Sequence, residues 1–206
     1  MLRKRNVIKF GIGKQSNGTD YSIVIDGHLF VSHIEVAQIN NIFMTITEVA
    51  GGSAPVIAST SKDLAEVLIR SNEHVQIVSD VALLDKGFKE LSRRQKLKNP
   101  EHQSPLYLMV ENIWNLVAIS NTKARANRLV ELLVKAPAYK IFLISGSMLS
   151  LRNLLTQLID NNPKLKNKLP ANSMRPIGAL GAELVYSTEG FAYYKRKEAM
   201  EFERLY

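Results

Sequence analysis

Between Ser32 and Ile39 the chain reads SHIEVAQI, at a place where a strand gives way to a helix. The apolar run Leu29-Phe30-Val31 reads as a short buried strand. After it, Ile34, Val36, Ala37, Ile39, Ile42, Phe43, Ile46 and Val49 keep close to the 3.6-residue period of a helix packed on a sheet. A phosphate-binding loop at such a turn is written G-x-x-x-x-G-K-[ST]. Its glycines let backbone N–H groups curl round phosphate, its lysine reaches the outer phosphates, and its hydroxyl binds Mg²⁺. In that register Ser32 and Ala37 stand at the glycine positions, Gln38 at the lysine and Ile39 at the hydroxyl, with His33, Ile34, Glu35 and Val36 between them. Gln38 carries no charge and Ile39 cannot bind a metal, while Glu35 sets a carboxylate where phosphates would lie, a like-charge repulsion with no lysine to offset it. ATP binding is therefore expected to be weak or absent. Taken alone, the stretch is also an ordinary strand–turn–helix.

A second stretch answers the first. Leu106 to Val110, LYLMV, is apolar throughout and reads as a central strand, and it ends in Glu111-Asn112. A nucleotide-hydrolysing site would place there an Asp for the metal shell and then an acid to position water. Glu111 keeps a carboxylate one methylene longer, and Asn112 cannot act as a base. Upstream, Arg93 and Arg94 lie at the end of a long helix, where they could reach into a neighbouring subunit's site or simply complement the helix dipole in solvent.

The elements that must position these residues follow the chain. Val7–Ile12 and Tyr21–Asp26 read as a hairpin, or a pair of edge strands, on either side of the turn residues Ser16, Asn17 and Gly18. The helix after Val31 stops at Gly51-Gly52. Pro55–Ser59 is a strand, Thr60 or Ser61 caps a helix to Arg70, and His74–Val78 is a further strand. From Asp80 to about Lys98 a helix shows Val81, Leu84, Phe88 and Leu91 on one face, and Asn99-Pro100 ends it. A helix follows from Ile113, and another runs from Lys123 to Lys135 with Ala126, Leu129, Val130, Leu133 and Val134 inward. Tyr139–Ile144 is a buried strand ending at Ser145-Gly146-Ser147, and Leu149–Ile159 is a helix. The polar stretch Asp160–Arg175 reads as a loop. Glu183–Tyr186 and Phe191–Lys195 form a terminal hairpin, and the charged tail from Glu198 reads as helical. Strands alternating with helices predict an α/β fold with a mostly parallel central sheet, and ligands in such folds sit at the C-terminal ends of the strands.

Composition narrows the chemistry further. The 206 residues contain no cysteine, which excludes disulfides and thiolate metal sites. Of the four histidines, His28, His33, His74 and His102, none pairs at helical spacing, so no metal site is expected and structural roles are. No apolar run reaches the length of a membrane span, and the basic start, Met1-Leu-Arg-Lys-Arg, does not lead into a signal sequence, so a soluble chain is expected. The formal charge of +8 is spread over Arg3-Lys4-Arg5, Arg93-Arg94-Gln95-Lys96, Lys164 to Lys168 and Lys195-Arg196-Lys197. Such runs are usually solvated faces, and nucleic acid is not the expected partner.

Four segments together resemble one family. NVIKFGIGKQSNGTDYSIVIDGHLFVSHIEVAQINNIF is similar to the entry of FtsK/SpoIIIE-type ATPase domains, a strand pair leading to the P-loop strand and helix. FKELSRRQKLKNPEHQSPLYLMVENIWNLVA resembles that family's arginine-bearing helix, Walker B strand and following helix. YKIFLISGS resembles the next strand and its polar end, and GAELVYSTEGFAYYKRK the closing hairpin of the last ATPase module of EssC/EccC coupling proteins of type VII secretion. The resemblance spans about residues 6 to 197. It implies a RecA-like P-loop NTPase fold in one domain over residues 1–206, with an N-terminal hairpin at about 6–26, a core at about 28–160 and a C-terminal hairpin at about 183–197. In the type VII subgroup it implies a cytoplasmic part of a longer, membrane-anchored protein with several ATPase modules. The partners implied are those modules and secreted WXG-type helical-hairpin substrates. With Ser32, Ala37, Gln38, Ile39 and Asn112 where the catalytic groups belong, a non-hydrolysing module is expected. A DNA-linked motor of the FtsK class and an unrelated α/β binding protein are the alternatives. No residue can be assigned to substrate contact from the sequence.

Overall fold

The computed structural model describes residues 8–14, 18–32, 34–51, 54–148, 154–161, 163, 181–186, 192–195 and 203–205. The first element is an antiparallel hairpin, β1 (Ile8–Lys14) with β2 (Asp20–Ile25). It forms its own two-stranded sheet, and β1 packs on the first helix. The chain then alternates: β3 (His28–Ser32), α1 (Val36–Ala50), β4 (Val56–Ser59), α2 (Lys62–Ser71), β5 (Val75–Ile77), α3 (Asp80–Gln95), β6 (Leu106–Val110), α4 (Ile113–Ile119), α5 (Lys123–Lys135), β7 (Ile141–Ser147) and α6 (Leu154–Asn161). It closes with β8 (Gly181–Tyr186), β9 (Ala192–Lys195) and β10 (Glu203–Leu205).

Among the described residues ten strands divide into the hairpin and an eight-stranded sheet of order β10-β9-β8-β3-β7-β6-β4-β5. The run from β8 to β5 is parallel throughout, and only β9 and β10 join antiparallel. The handedness of parallel crossovers sets the layers. From β3 the chain steps one way along the sheet, to β4 and β5, which puts α1 and α2 on one face. It then steps back to β6, β7 and β8, which puts α3 to α6 on the other. Two cores result. One joins Ile39, Phe43, Ile46, Leu64 and Leu68 to the sheet, and the other joins Leu84, Leu91, Leu116, Leu129, Leu133 and Leu158. Because both faces are covered, β3, β6 and β7 are buried at every residue, as apolar parallel strands require.

Several boundaries differ from the sequence reading. The inward face of α3 is Leu83, Leu84, Gly87, Leu91 and Arg94, turned from the expected one, and Val81 and Phe88 are only half buried. Gly87 explains the turn: a Cβ there would lie 2.6 Å from Leu108 Cδ1 and 3.3 Å from Leu132 Cδ1, so α3 comes closest to the sheet and to α5 where it has no side chain. Phe88 instead lies under the Arg128 guanidinium, 5.6 Å from the ring centre. Residues 136–139 form a 3-10 turn rather than the start of β7, and the strand runs on through Ser145-Gly146-Ser147. In the tail, Glu203–Leu205 is a strand rather than a helix, because the outer edge of β9 offers it backbone partners. Of the expected loop Asp160–Arg175, Asp160 and Asn161 instead end α6, while 162 and 164–175 lie outside the described residues, as does the start of the expected helix at 149–153.

His28, the first residue of β3, ties the two layers together. Its ring is 2% exposed. Nδ1 accepts the Leu143 N–H of β7 at 2.8 Å, while Nε2 faces the Leu132 and Leu133 carbonyls at 3.1 and 3.2 Å. Accepting at Nδ1 makes Nε2 the protonated nitrogen, so it donates to carbonyls in the last turn of α5, where the Leu132 carbonyl also accepts the Ala136 N–H. On the far side Gly181 of β8 lies so close that a Cβ would meet the His28 carbonyl oxygen at 2.6 Å. One imidazole therefore joins β3, β7 and α5, next to β8. Among the described residues no His, Asp and Glu cluster could hold a metal, and no helix is long and apolar enough to cross a membrane. The substitution His28→Ala takes the acceptor from the buried Leu143 amide and the donor from the end of α5, and is expected to lower stability by about 2–4 kcal/mol in urea unfolding.

Candidate functional site

In an open parallel sheet, ligand sites form at strand C-termini where neighbouring strands send their helices to opposite faces. Among the described residues this sheet has three such places, β3 beside β7, β6 beside β4 and β4 beside β5, and the first two hold the stretches singled out in the sequence. The first carries the Ser32–Ile39 turn and the second carries Glu111. They meet at Gly146, near the end of the intervening strand β7. A Cβ on Gly146 would lie 2.6 Å from the Glu111 carbonyl oxygen and 2.8 Å from Cγ1 of Ile39. The structure thus brings together the two stretches that lie some seventy residues apart in the chain.

At the first place, Ser32 is the buried last residue of β3 and pairs with Ser147 in register. Ile34 is buried, and its N–H donates to the Ser147 carbonyl at 3.2 Å, fastening the turn to β7. His33 lies outside the described residues. Glu35 is the exposed N-cap residue of α1, and Val36 and Ala37 open the helix. Gln38 turns backward: its Oε1 accepts the Glu35 N–H at 3.1 Å, so this side chain caps its own helix. Ile39 is 2% exposed and faces Gly146, which fills the ground between α1 and the ends of β6 and β7 with hydrocarbon. Trp114 Nε1–H donates to the Ser147 hydroxyl at 3.0 Å, and the Ser145 hydroxyl is buried with no hydrogen-bond partner.

At the second place, the Glu111 carboxylate accepts the Thr60 hydroxyl at 2.5 Å, the Ser61 hydroxyl at 3.0 Å and the Ser61 N–H at 3.1 Å. All three come from the segment that opens α2, whose N-terminus favours a negative charge. Beside it the Ser59 hydroxyl donates to Asp80 at 2.7 Å, joining β4 to the first turn of α3. Asn112 is the N-cap of α4, and its Oδ1 accepts the Trp114 N–H at 3.1 Å. Glu111 and Asn112 are therefore each engaged with a helix N-terminus. The Thr60–Ser61 partnership was legible only as a helix cap, because nothing in the sequence says which strand end lies beside it.

Arg93 and Arg94 lie elsewhere, at the opposite ends of the strands. Arg94 is 4% exposed. Its Nε donates to Glu90 at 2.7 Å and its Nη1 to the Tyr139 and Lys140 carbonyls at 2.8 and 3.1 Å, at a reversal where Lys140 takes a left-handed φ of 54°. Arg93 is half exposed and holds Glu90 through two 2.7 Å hydrogen bonds. The hydrogen bond from Arg93, followed by the hydrogen bond and charge of Arg94, outweighs burial and lowers the Glu90 pKa to about 2.

The class this architecture defines is the RecA-like P-loop ATPase fold, with β8-β3-β7-β6-β4 as its parallel core. Solved structures of that class superpose on it. The cytoplasmic domain of the type VII secretion ATPase EccC from Thermomonospora curvata matches 96% of this chain and 26% of that one, with a TM-score of 0.63 at 16% identity. ATPases 2 and 3 of EccC from Thermomonospora curvata, in complex with a signal sequence peptide, match 98% of this chain and 40% of that one, at 0.63 and 16%. The conjugation coupling protein TcpA, with ATPγS, matches 98% and 66%, at 0.63 and 11%. The chain therefore spans between about a quarter and two thirds of the length of these structures. No family model matches the sequence, and no curated protein matches it. At such identities the likeness is one of fold.

Two expectations follow. Gly146→Ala forces a side chain against the Glu111 backbone and is expected to lower stability by about 1–3 kcal/mol, read as an earlier urea midpoint. Glu90 has a folded pKa below its ordinary 4.5, so its stabilisation is complete above that value and is lost as pH falls toward 2. Glu90→Gln is expected to be less stable than the parent at pH 7 by about 1–3 kcal/mol, and the gap to close between pH 4.5 and 2 in acid titrations of unfolding.

Proposed function

We propose that this chain is a non-hydrolysing ATPase-fold module of a type VII secretion coupling protein, acting in substrate recognition or in the regulation of neighbouring ATPase modules. The observation that carries the reading is the state of the nucleotide end. Gln38, at the lysine position, is folded back on Glu35, and Ile39, at the hydroxyl position, is buried over Gly146. Magnesium and a triphosphate need a cation, a metal-binding hydroxyl and free carboxylates. Here the carboxylate of Glu111 is committed to Thr60 and Ser61, and Asn112 supplies no base. The residues present do not fit the nucleotide.

The fold likeness to EccC supports the type VII assignment, and the chain's share of those longer structures supports a role as one module among several. In that reading the module is cytoplasmic and meets the membrane only through its parent protein. Its partners are adjacent ATPase modules and secreted WXG-type helical-hairpin substrates. The likeness to a conjugation coupling protein and the charge of +8 favour one other reading, a DNA-linked motor module. That reading requires an affinity for duplex DNA that falls steeply with salt. Isothermal titration of the folded chain with Mg-ATP is expected to give no heat at micromolar concentrations and no phosphate release. Micromolar affinity together with turnover would overturn the proposal.

A further inference from the structure

The strand end remote from the nucleotide positions is open. There, between α3 and the part of the sheet that α3 leaves uncovered, lies a groove of about 450 Å³, within the range of sites that take several side chains. Its floor is apolar, formed by Pro55 and Ile57 of the β4 segment and Leu106 of β6. Its rim is cationic. Lys86, Lys89 and Arg93 stand exposed along the outer flank of α3, at positions three and four apart that share one helix face. The lining holds one acid, Glu90, against four cations, Lys86, Lys89, Arg93 and Arg94, a surplus of three positive charges. Glu90 is held between the two arginines, which leaves the lysines as the rim cations without an acidic partner among the described residues. Among the described residues the hydrogen-bond partner of Lys86 is a neutral one, the Gln76 side chain, at 3.1 Å.

We propose that this groove is a docking site for an acidic peptide segment of a partner protein, an apolar side chain seated on Pro55, Ile57 and Leu106 and flanking carboxylates on Lys86 and Lys89. Charge complementarity selects the occupant. A second copy of this chain would bring its own net charge of +8 to a basic rim, which is repulsive. A nucleic-acid backbone would meet the lysines but gain nothing from an apolar floor, whereas a peptide with carboxylates on either side of an apolar residue uses both. The site needs no nucleotide and stands whether or not the β3 turn binds one.

The test is selection from a random dodecapeptide library displayed on phage against the whole folded chain, then fluorescence anisotropy with the recovered peptides. The expected result is enrichment of peptides with Asp or Glu on both sides of an apolar residue. Their affinity should fall at least about tenfold with the double variant Lys86→Glu, Lys89→Glu and fall with added salt. Both lysines are exposed, so an unchanged thermal melt will show that the variant is folded. Recovery of no peptide, recovery without acidic enrichment, or equal affinity for parent and variant overturns the proposal. So does tighter, lysine-dependent binding of a single-stranded oligodeoxynucleotide.

Discussion

The close approach at Gly146 governs the C-terminal strand ends of this sheet. Two strand–turn–helix units leave the sheet on opposite faces, and β7 runs between them, so anything projecting from β7 at that point separates them. Without a side chain there, the Glu111 carbonyl and the Ile39 side chain both reach the strand, and α1 seats its first turn on the sheet. The turn is then held by the Ile34 amide on Ser147, and Ser147 is held in turn by Trp114. Packing and hydrogen bonding support one geometry here, which is the condition for a rigid turn.

Helix N-termini present unpaired N–H groups, and a phosphate is one way to satisfy them. Here the chain does so itself. Gln38 pairs with the start of α1, Glu111 with the start of α2, and Asn112 with α4. These are three of the positions that would carry the chemistry of a nucleotide site. Each side chain has the length and acceptor atoms its cap requires: Gln reaches back one turn, Glu spans from the end of β6 to the helix that follows the neighbouring strand β4, and Asn bonds two residues ahead. Each of these residues is thus matched to a local structural use at the helix start it serves.

Much of this was legible in the chain because local pattern and burial coincide. LYLMV and IFLIS are apolar without alternation, and only strands covered on both faces sustain that. The positions Ser32 to Ile39 and Glu111-Asn112 were identifiable as strand-to-helix junctions, and the structure brings both to the same end of the sheet. What the chain did not disclose depends on distant partners. Nothing near Arg94 announces that its guanidinium will be buried against the Tyr139 and Lys140 carbonyls. His28 gives no local sign that it will join Leu143 to the end of α5. The inward face of α3 was misplaced because a hydrophobic period treats Gly87 as a gap, whereas close helix–sheet packing makes it the point of contact. The tail was misread because an open strand edge supplies hydrogen bonds that no local propensity records.

The two ends of the sheet differ in kind. At the C-terminal ends of the strands the polar groups named above are mostly paired within the chain and the space at Gly146 is filled. At the N-terminal ends of β4 and β6 an apolar floor lies open beside lysines with no acidic partner among the described residues. The strands between are five residues or fewer, about 17 Å of largely buried sheet at most. That distance and rigidity separate the ends physically. A fold of this class usually places its chemistry at the C-terminal ends of the strands, and with those ends engaged in holding the structure together, the surface left for recognition lies along α3.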